Sequence, residues 1–205
     1  MIETITACEN ICRDFSWVGP FTEWLRNLAI VVGVWVAYYQ LNAWRREHLS
    51  KRVAETAELL LSKAMNVKLA ISSVRAAMEN IPNDVENSEQ AVIDIKRQRL
   101  QSYKDDFDRL RELQVLHQAL VGTVEVKNAI DELFDVRQEL YAALATLSGW
   151  KLGLVPNDEH LKLREKLMRD IYPMGKYDEL GPRVKKAVET LEEHLLPEIR
   201  MERKK

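Results

Sequence analysis

Helix-breaking residues are scarce in this sequence, which contains 7 glycines and 6 prolines among its 205 residues. After residue 46 there are also no runs of alternating Val, Ile and Thr of the kind that form strands. Ala, Leu, Glu, Lys and Arg dominate instead, and these residues favour helix. The sequence therefore predicts an all-α protein, and its length suits one domain with a short additional segment.

Motifs that carry known chemistry are also lacking. No HExxH, GxSxG, P-loop or GxGxxG motif occurs. The histidines, His48, His117, His160 and His194, have no strong metal-ligand partner at helical spacing and are interpreted as structural or surface residues, with His117 alone on an apolar face. Basic residues alternate with acidic ones and the net charge is −2, which disfavours nucleic-acid binding. We therefore predict no enzymatic activity, metal or cofactor.

Cysteine is nearly absent, since the sequence contains only Cys8 and Cys12. A disulfide between two residues four apart in one helix would be strained. In an oxidising compartment these cysteines could instead link two copies of the chain. Unpaired thiols are the simpler interpretation, and the sequence leaves both open.

One long apolar segment contrasts with these absences. It extends from Trp24 to Trp44 and carries no charged residue after Arg26. A helix that crosses a bilayer needs about 20 mostly apolar residues, and tryptophan is typical of membrane interfaces. The alternative is a buried helix in a soluble core. We predict a single transmembrane helix over residues 22–46, which separates a leader of residues 1–21 from a domain of residues 47–205.

Basic residues predict the orientation of this helix. Few precede the segment and several follow it, so the positive-inside rule places the leader outside and the domain in the cytoplasm, with the helix in a bacterial inner membrane. The leader is acidic and lacks the basic start of a cleaved signal peptide. The predicted membrane-interface residues are Trp24, Trp44, Arg45, Arg46, Lys51 and Arg52.

Three small residues, Ala29, Gly33 and Ala37, recur at every fourth position of the apolar segment. This spacing places them in one row on a helix face, where small side chains let two helices approach closely in lipid. Such rows also occur by chance in membrane helices. We predict that this small-residue row supports self-association, and hence a homo-oligomer.

Apolar residues then recur in alternating steps of four and three, which is a heptad pattern. The same helix is predicted to continue from about Thr22 to Ile81, where Pro82 ends it. The apolar seam either receives helices of its own chain or pairs with a second copy. The predicted seam residues are Val53, Leu60, Val67, Ile71 and Met78.

The remaining sequence predicts four amphipathic helices joined by short loops, and hence an antiparallel bundle. A turn at Gly122 and Thr123 separates the first two, and Pro197 is expected to kink or end the last helix near Leu195. Arg137 lies on an apolar stripe and is interpreted as snorkelling or pairing with a carboxylate. The predicted fold is a transmembrane helix that continues into a cytoplasmic bundle of four to five helices. The four predicted ranges are 88–121, 124–147, 159–172 and a helix that begins between 178 and 182.

Two stretches, YQLNAWRREHLSKRVAETAELLL and DELGPRVKKAVETLEEHLLPEI, resemble a family of uncharacterised bacterial single-pass membrane proteins. The resemblance covers the apolar segment, the helix after it and the carboxyl end, while the middle matches only in pattern. It implies an amino-terminal span and an all-helical body, and the family has no assigned activity. This chain lacks the aromatic pair that many relatives place after the equivalent of LLLSKAMN.

Two functions fit these features best. The first is a non-enzymatic module, tethered to the lipid bilayer, that self-associates and binds a cytoplasmic protein partner. The second is an oligomerising effector of the toxin or phage-defence type that perturbs the bilayer. An enzyme with a pocket inside the bundle is a third option, which several buried titratable groups in one pocket would favour.

Overall fold

The structure is a computed structural model that describes residues 18–76, 88–149 and 158–201. Within these ranges the chain forms helices and no strand, so the predicted all-α class is confirmed. The chain divides into two compact units, unit 1 (Met1–Leu49) and unit 2 (Ser50–Lys205). A short 3-10 helix (Gly175–Tyr177) precedes the last helix. The α-helices are α1 (Val18–Arg75), α2 (Ser88–Ser102), α3 (Lys104–Leu120), α4 (Val124–Ser148), α5 (Asp158–Ile171) and α6 (Leu180–Ile199).

Unit 1 contains the amino-terminal part of α1, whose apolar side chains are exposed on every side. Exposed residues follow one another along the chain and therefore point in all directions around the helix axis. Helices that are apolar all round are normally buried in protein or lipid. The exposed residues in the centre of the segment are Ile30, Val31, Val32, Val34, Trp35 and Val36.

The predicted transmembrane span is not supported. In the part of the chain that the structure describes, no helix is long and apolar enough to cross a membrane. The apolar core, residues 28–41, extends about 21 Å at 1.5 Å per residue, whereas the hydrocarbon core of a bilayer is about 30 Å thick. Asn27 and Asn42 bound this core, and Gln40 interrupts it.

In unit 2, α1 lies antiparallel to α2 and α3. Lys63 Nζ donates to Asp106 Oδ1 of α3 at 2.9 Å. Ten residues further along α1, the Ser73 carbonyl oxygen accepts a hydrogen bond from Arg99 Nη1 of α2 at 2.8 Å. Because Arg99 precedes Asp106 in the sequence, the two chain directions are opposite. The end of unit 2 that contains Ser50 is therefore the end at which α3 finishes.

The other helices complete a bundle around one apolar core. Near the start of α6, Arg183 Nη1 donates to Glu139 of α4 at 2.8 Å. At the end of α6, Glu198 Oε2 lies 2.9 Å from His117 Nε2, near the end of α3. α6 is therefore antiparallel to α4, and the predicted helical bundle is confirmed.

The apolar seam of α1 lies in this core. Leu60, Val67 and Ile71 are buried, Val53 is half-buried, and Met78 lies outside the described residues. Burial of such a side chain contributes about 1.5 to 3 kcal/mol. Helices of the same chain cover the seam, so of the two arrangements that the sequence left open, the structure has the intrachain one.

α1 ends earlier than the sequence predicts. It finishes at Arg75 and Ala76 is not helical, whereas the heptad pattern predicts continuation to Ile81, a residue outside the described ranges. The cause is tertiary, because Lys96 and Arg99 of α2 donate to carbonyl oxygens at this end of α1. These contacts satisfy the acceptors that the last turn leaves open.

One later prediction needs correction and another is narrowed. The helix expected over residues 88–121 is divided at Tyr103, which has φ −88° and ψ 8°. Pro197 is expected to kink or end the last helix, and the helix does not end there, because α6 continues to Ile199. Proline lacks the backbone N–H that other helical residues donate, but Pro197 lies in the last turn, so the missing hydrogen bond affects only that turn. The contact between Glu198 and His117 holds this turn against α3.

The predicted turn between α3 and α4 is confirmed. Gly122 has φ +74°, a left-handed conformation that glycine adopts without strain. Thr123 precedes the first residue of α4, but its side chain makes no capping hydrogen bond.

Candidate functional site

The first buried polar cluster joins three helices at the end of α1. Arg75 is 4% exposed, and its Nε donates to the Asp170 carbonyl oxygen at 2.9 Å. Its Nη2 donates to Asp178 Oδ1 at 2.6 Å and to the Tyr172 carbonyl oxygen at 3.3 Å. A cation at a helix carboxyl end stabilises the open carbonyls and the helix dipole. Arg75 therefore fastens the end of α5 to the end of α1.

Asp178 links this cluster to α6 through a backbone hydrogen bond. Its Oδ1 accepts the Gly181 backbone N–H at 2.9 Å, within the first turn of α6. Burial raises the pKa of Asp178, but hydrogen bonds from Arg75 and Gly181 outweigh burial and lower it overall. Gly181 is needed here because a Cβ on this residue would overlap the Asp178 carboxylate.

Lys96 is a second buried cation at the same end of unit 2. Its side chain is fully buried, and Nζ donates to the Val74 carbonyl oxygen at 2.9 Å and to the Ala76 carbonyl oxygen. Nζ also lies 4.7 Å from the centre of the Tyr172 ring, a cation–π distance. Lys96 therefore donates hydrogen bonds to carbonyl oxygens at the carboxyl end of α1, as Arg75 does at the carboxyl end of α5.

A groove of about 200 Å³ lies beside the pair of Arg75 and Asp178. Both of these groups are engaged with helix ends as described above. Burial raises the pKa of Asp170, the other carboxyl group nearby, but Asp170 does not line the groove. Among the described residues that line the groove, Asp178 is the one carboxyl group, so these residues include no carboxyl pair for acid–base chemistry. Its lining residues are Lys68, Ile71, Ser72, Arg75, Pro173, Asp178, Gly181, Val184 and Lys185.

His117 forms the buried polar contact at the opposite end of unit 2. It is 1% exposed, and its Nε2 lies 2.9 Å from Glu198 Oε2. The structure thus gives His117 a structural partner in α6. His48 and His160 are exposed and His194 is half-buried. Among the residues that the structure describes, no three His, Cys, Asp or Glu side chains are grouped as a metal site requires.

A polar network connects α3 to α4 at Asp131. Asp131 accepts hydrogen bonds from Arg111 at 2.8 Å, from Gln114 at 3.0 Å and from Lys127 at 2.7 Å. Burial raises the pKa of Asp131, but these three hydrogen bonds outweigh burial and lower it to about 2. The carboxylate therefore stays charged at neutral pH and serves as an acceptor rather than as a proton donor.

Arginine and phenylalanine side chains stack beside this network. The Arg111 guanidinium lies 3.9 Å from the Phe134 ring centre, and Arg137 lies 4.5 Å from that of Phe107. The two rings meet edge to face at 5.7 Å. Arg137 thus stacks on an aromatic face, a contact that the sequence interpretation of snorkelling or pairing with a carboxylate did not include.

The residues predicted for the membrane interface and for self-association are exposed in the structure. Gly33 could accept a Cβ with no heavy atom within 4 Å, so its row offers open space for another helix. Trp44 stacks edge to face with His48 at 4.3 Å. The exposed residues are Trp24, Trp44, Arg45, Arg46, Lys51 and Arg52 at the predicted interface, and Ala29, Gly33 and Ala37 in the row.

Of the buried polar residues of α2 and α3, the sequence analysis places only His117 on an apolar face, although the sequence contains the same signal for Lys96 and Gln114. Lys96, Gln114 and His117 lie on the same heptad stripe as the buried Ile93 and Leu100. A polar residue at such a position must be buried with a partner. The positions indicate the burial, but the partners belong to other helices.

Comparisons with known proteins give no relative. No family model matches the chain, no curated protein matches it, and no solved structure matches it. The resemblance to single-pass membrane proteins therefore stays an expectation from the sequence.

Proposed function

We propose that this chain is a non-enzymatic helical module, attached to a lipid bilayer through unit 1, that self-associates there. One observation carries the proposal, namely the apolar surface around the whole of α1 between Trp24 and Trp44. This surface surrounds the helix, so its burial requires apolar contacts on every side. Lipid provides such contacts on every side, whereas a second copy of the chain would cover only one. Arg75 and Lys96 make contacts that hold helix ends, and Asp131 joins α3 to α4, which supports a module rather than an enzyme.

The proposal includes a single crossing of a bacterial inner membrane, with residues 1–21 outside and unit 2 in the cytoplasm. The excess of basic residues after the segment supports this orientation. Because the apolar core is about 9 Å shorter than the hydrocarbon layer, a crossing requires local thinning of the bilayer and aromatic residues at its boundaries. Cys8 and Cys12 test the orientation, since a membrane-impermeant thiol reagent should label them in intact cells.

Self-association is proposed to use the row of Ala29, Gly33 and Ala37. These residues are exposed, and small side chains at this spacing allow close helix contact in lipid. A cytoplasmic protein partner would bind unit 2, where Leu59 and Leu69 are exposed on α1.

Vesicle flotation of the full chain tests the attachment. We expect the wild-type chain to float with vesicles and a Val31→Asp, Val34→Asp double variant to stay in the dense fraction. Each aspartate costs about 2.5 to 3.5 kcal/mol in the centre of a membrane helix. A Leu59→Asp, Leu69→Asp variant is the matched control, because it changes equally exposed apolar residues of the same helix, and it should float. A wild-type chain that stays dense would contradict the proposal.

A second candidate function is an oligomerising effector that perturbs the bilayer. The short apolar core favours it, because a helix shorter than the hydrocarbon layer deforms the surrounding lipid. Inducible expression with a membrane-potential dye separates the two functions. Depolarisation at low expression would favour the effector, and normal potential at high expression would favour the tethered module.

A further inference from the structure

The groove beside Arg75 combines apolar and cationic side chains in its lining. It lies in unit 2, has a volume of about 200 Å³ and is lined by residues of α1, of α6 and of the segment that joins α5 to α6. Sites for small molecules typically have an apolar lining with a few convergent polar groups. The apolar lining residues are Ile71, Pro173 and Val184, and the polar ones beside the pair of Arg75 and Asp178 are Lys68, Ser72 and Lys185.

Cations outnumber carboxylates in this lining. Its described residues include three cations and one carboxylate, which leaves a net charge of +2. The charges of Arg75 and Asp178 neutralise each other, because Nη2 of the first lies 2.6 Å from Oδ1 of the second. The surplus charge therefore belongs to Lys68 of α1 and Lys185 of α6. Such a surplus attracts anions to the groove and repels cations.

Lys68 lacks a partner among the described residues. It is half-buried, and none of these residues forms a hydrogen bond or an ion pair with it. Charges that are partly removed from water normally have hydrogen-bond partners, as Arg75 and Lys96 do at this end of unit 2. Lys185 contacts Glu189 at 3.6 Å, but both side chains are exposed and such a pair contributes little to stability. Both lysines can therefore donate to an anion in the groove.

The size and the lining of the groove limit the class of ligand. Pockets that hold drug-sized molecules measure about 300–1,000 Å³, so this groove accepts a smaller molecule. Its apolar residues favour a compact apolar body, which leaves water when it binds. Its lysines favour a carboxylate, to which an ammonium group donates charge-assisted hydrogen bonds. An aromatic or branched aliphatic carboxylate meets both requirements, whereas an inorganic anion would leave the apolar lining in contact with water.

We propose that unit 2 binds a small organic carboxylate in this groove, with Lys68 and Lys185 at the carboxylate and the apolar lining around the rest of the molecule. Such binding is independent of the proposed attachment to a bilayer. Arg75 and Asp178, which link α1 to α5 and α6, line the same groove. A ligand that binds only the folded groove stabilises unit 2 by mass action, so the helical module would respond to the concentration of this carboxylate.

Fluorine NMR of para-fluorobenzoate tests this site, because the resonance of the probe broadens when it binds the full chain in detergent micelles. Its neutral analogue para-fluorobenzamide has nearly the same shape and no charge, and empty micelles correct for partition into detergent. Lys68→Gln removes one cation of the groove, and Lys186→Gln, at an exposed position of α6 outside the lining, is its matched control. Ser72→Trp fills the groove from an exposed position of α1, and Ser62→Trp places the same side chain at an exposed position outside the lining.

We expect the wild-type chain to bind para-fluorobenzoate about fivefold more tightly than para-fluorobenzamide, and Lys68→Gln to lose most of this preference. Ser72→Trp should abolish binding, and both control variants should bind as the wild type does. Equal affinity for the two probes, broadening no greater than with empty micelles, or binding that Ser72→Trp leaves intact would overturn the proposal. Equal losses in Lys68→Gln and Lys186→Gln would also overturn it, because they indicate a general effect of charge. Circular dichroism checks the fold of each variant, and Lys68→Gln decides alone if Ser72→Trp does not fold.

Discussion

At the scale of residues, unit 2 uses buried cations to bind helix ends. Arg75 and Lys96 are each at most 4% exposed, and both donate to carbonyl oxygens in the last turn of a helix or just after it. The acceptors that a helix end leaves open are thus satisfied by side chains from another helix. Substitution of one residue in such a buried group should lower the free energy of unfolding more than substitution of an exposed charged residue, because the remaining partners stay buried without a hydrogen-bond partner.

Asp178→Asn tests the connection between α1, α5 and α6. The substitution removes the charge that faces the buried guanidinium of Arg75, and we expect a loss of about 3 kcal/mol in the free energy of unfolding. Asp135→Asn, which changes an exposed aspartate of α4, is the control and should change stability by less than about 0.5 kcal/mol. Thermal denaturation of the full chain in detergent measures both, and equal stabilities for the two variants would contradict the described role of Arg75.

Asp131 predicts a pH dependence of stability. Its pKa in the folded state is about 2, below the ordinary value of 3.8, so the folded state binds the proton more weakly than the unfolded state does. The stabilisation is therefore complete above about pH 4 and is lost as the pH falls toward 2. After solvent screening it amounts to about 1 kcal/mol, or about 3 °C in Tm.

The measurement compares the wild-type chain with Asp131→Asn. The variant should melt at a lower temperature than the wild-type chain at pH 5, and the two should converge near pH 2. Asp108→Asn, which changes an exposed aspartate of α3, provides the control for a general charge effect. A difference in Tm between wild type and Asp131→Asn that stays constant from pH 5 to pH 2 would be inconsistent with the lowered pKa.

At the scale of elements, α1 combines two different patterns in one helix. In unit 2 its apolar residues repeat in steps of three and four and are buried by the other helices. In unit 1 apolar residues occupy every face and are exposed. The apolar residues of the first pattern are buried by other helices of the same chain. Those of the second pattern require lipid or other copies of the chain to bury them.

Gly33→Ile tests the small-residue row of this element. A Cβ at Gly33 meets no heavy atom within 4 Å, and isoleucine forms helix slightly better than glycine, so the variant should fold normally. We expect a lower dimer fraction in detergent, because the larger side chain separates the two helices. Val31→Leu, on another face of the same helix, should leave the dimer fraction unchanged. A wild-type dimer fraction in Gly33→Ile would exclude the row from self-association.

Sequence periodicity predicts the elements of this fold better than it predicts their ends. The seam through Leu60 and Val67 is visible because burial follows the heptad pattern directly. The end of α1 at Arg75 and the continuation of α6 past Pro197 depend on contacts with Lys96 and His117, which belong to other helices. Such contacts join residues far apart in sequence, and local propensity carries no information about them.

The polar clusters are only partly predictable for the same reason. Lys96 lies on the apolar stripe of α2, so its position indicates burial, but nothing local identifies Val74 and Ala76 as its acceptors. The prediction of a transmembrane helix is unsupported for a different reason. Its composition resembles a transmembrane helix, but its apolar core is short for a bilayer, and no helix in the described ranges qualifies as a span.

At the scale of the whole molecule, the central claim is that the apolar segment of unit 1 lies in lipid. Trp35 is in the middle of this segment and is exposed in the chain alone. In a full chain with phenylalanine at the other tryptophan positions, 17, 24, 44 and 150, all tryptophan fluorescence comes from Trp35. This fluorescence then reports the depth of Trp35 in the bilayer. Bromine atoms placed at shallow or deep positions of the acyl chains quench a tryptophan that lies at the same depth.

Quenching of Trp35 in vesicles is therefore the most direct test. We expect deeply brominated lipid to quench Trp35 more strongly than shallow brominated lipid. The opposite order is expected for a matched chain that keeps only Trp24, at the predicted interface. Trp35 emission that neither lipid quenches, in a chain bound to the vesicles, would show that protein rather than lipid covers the segment and would contradict the account.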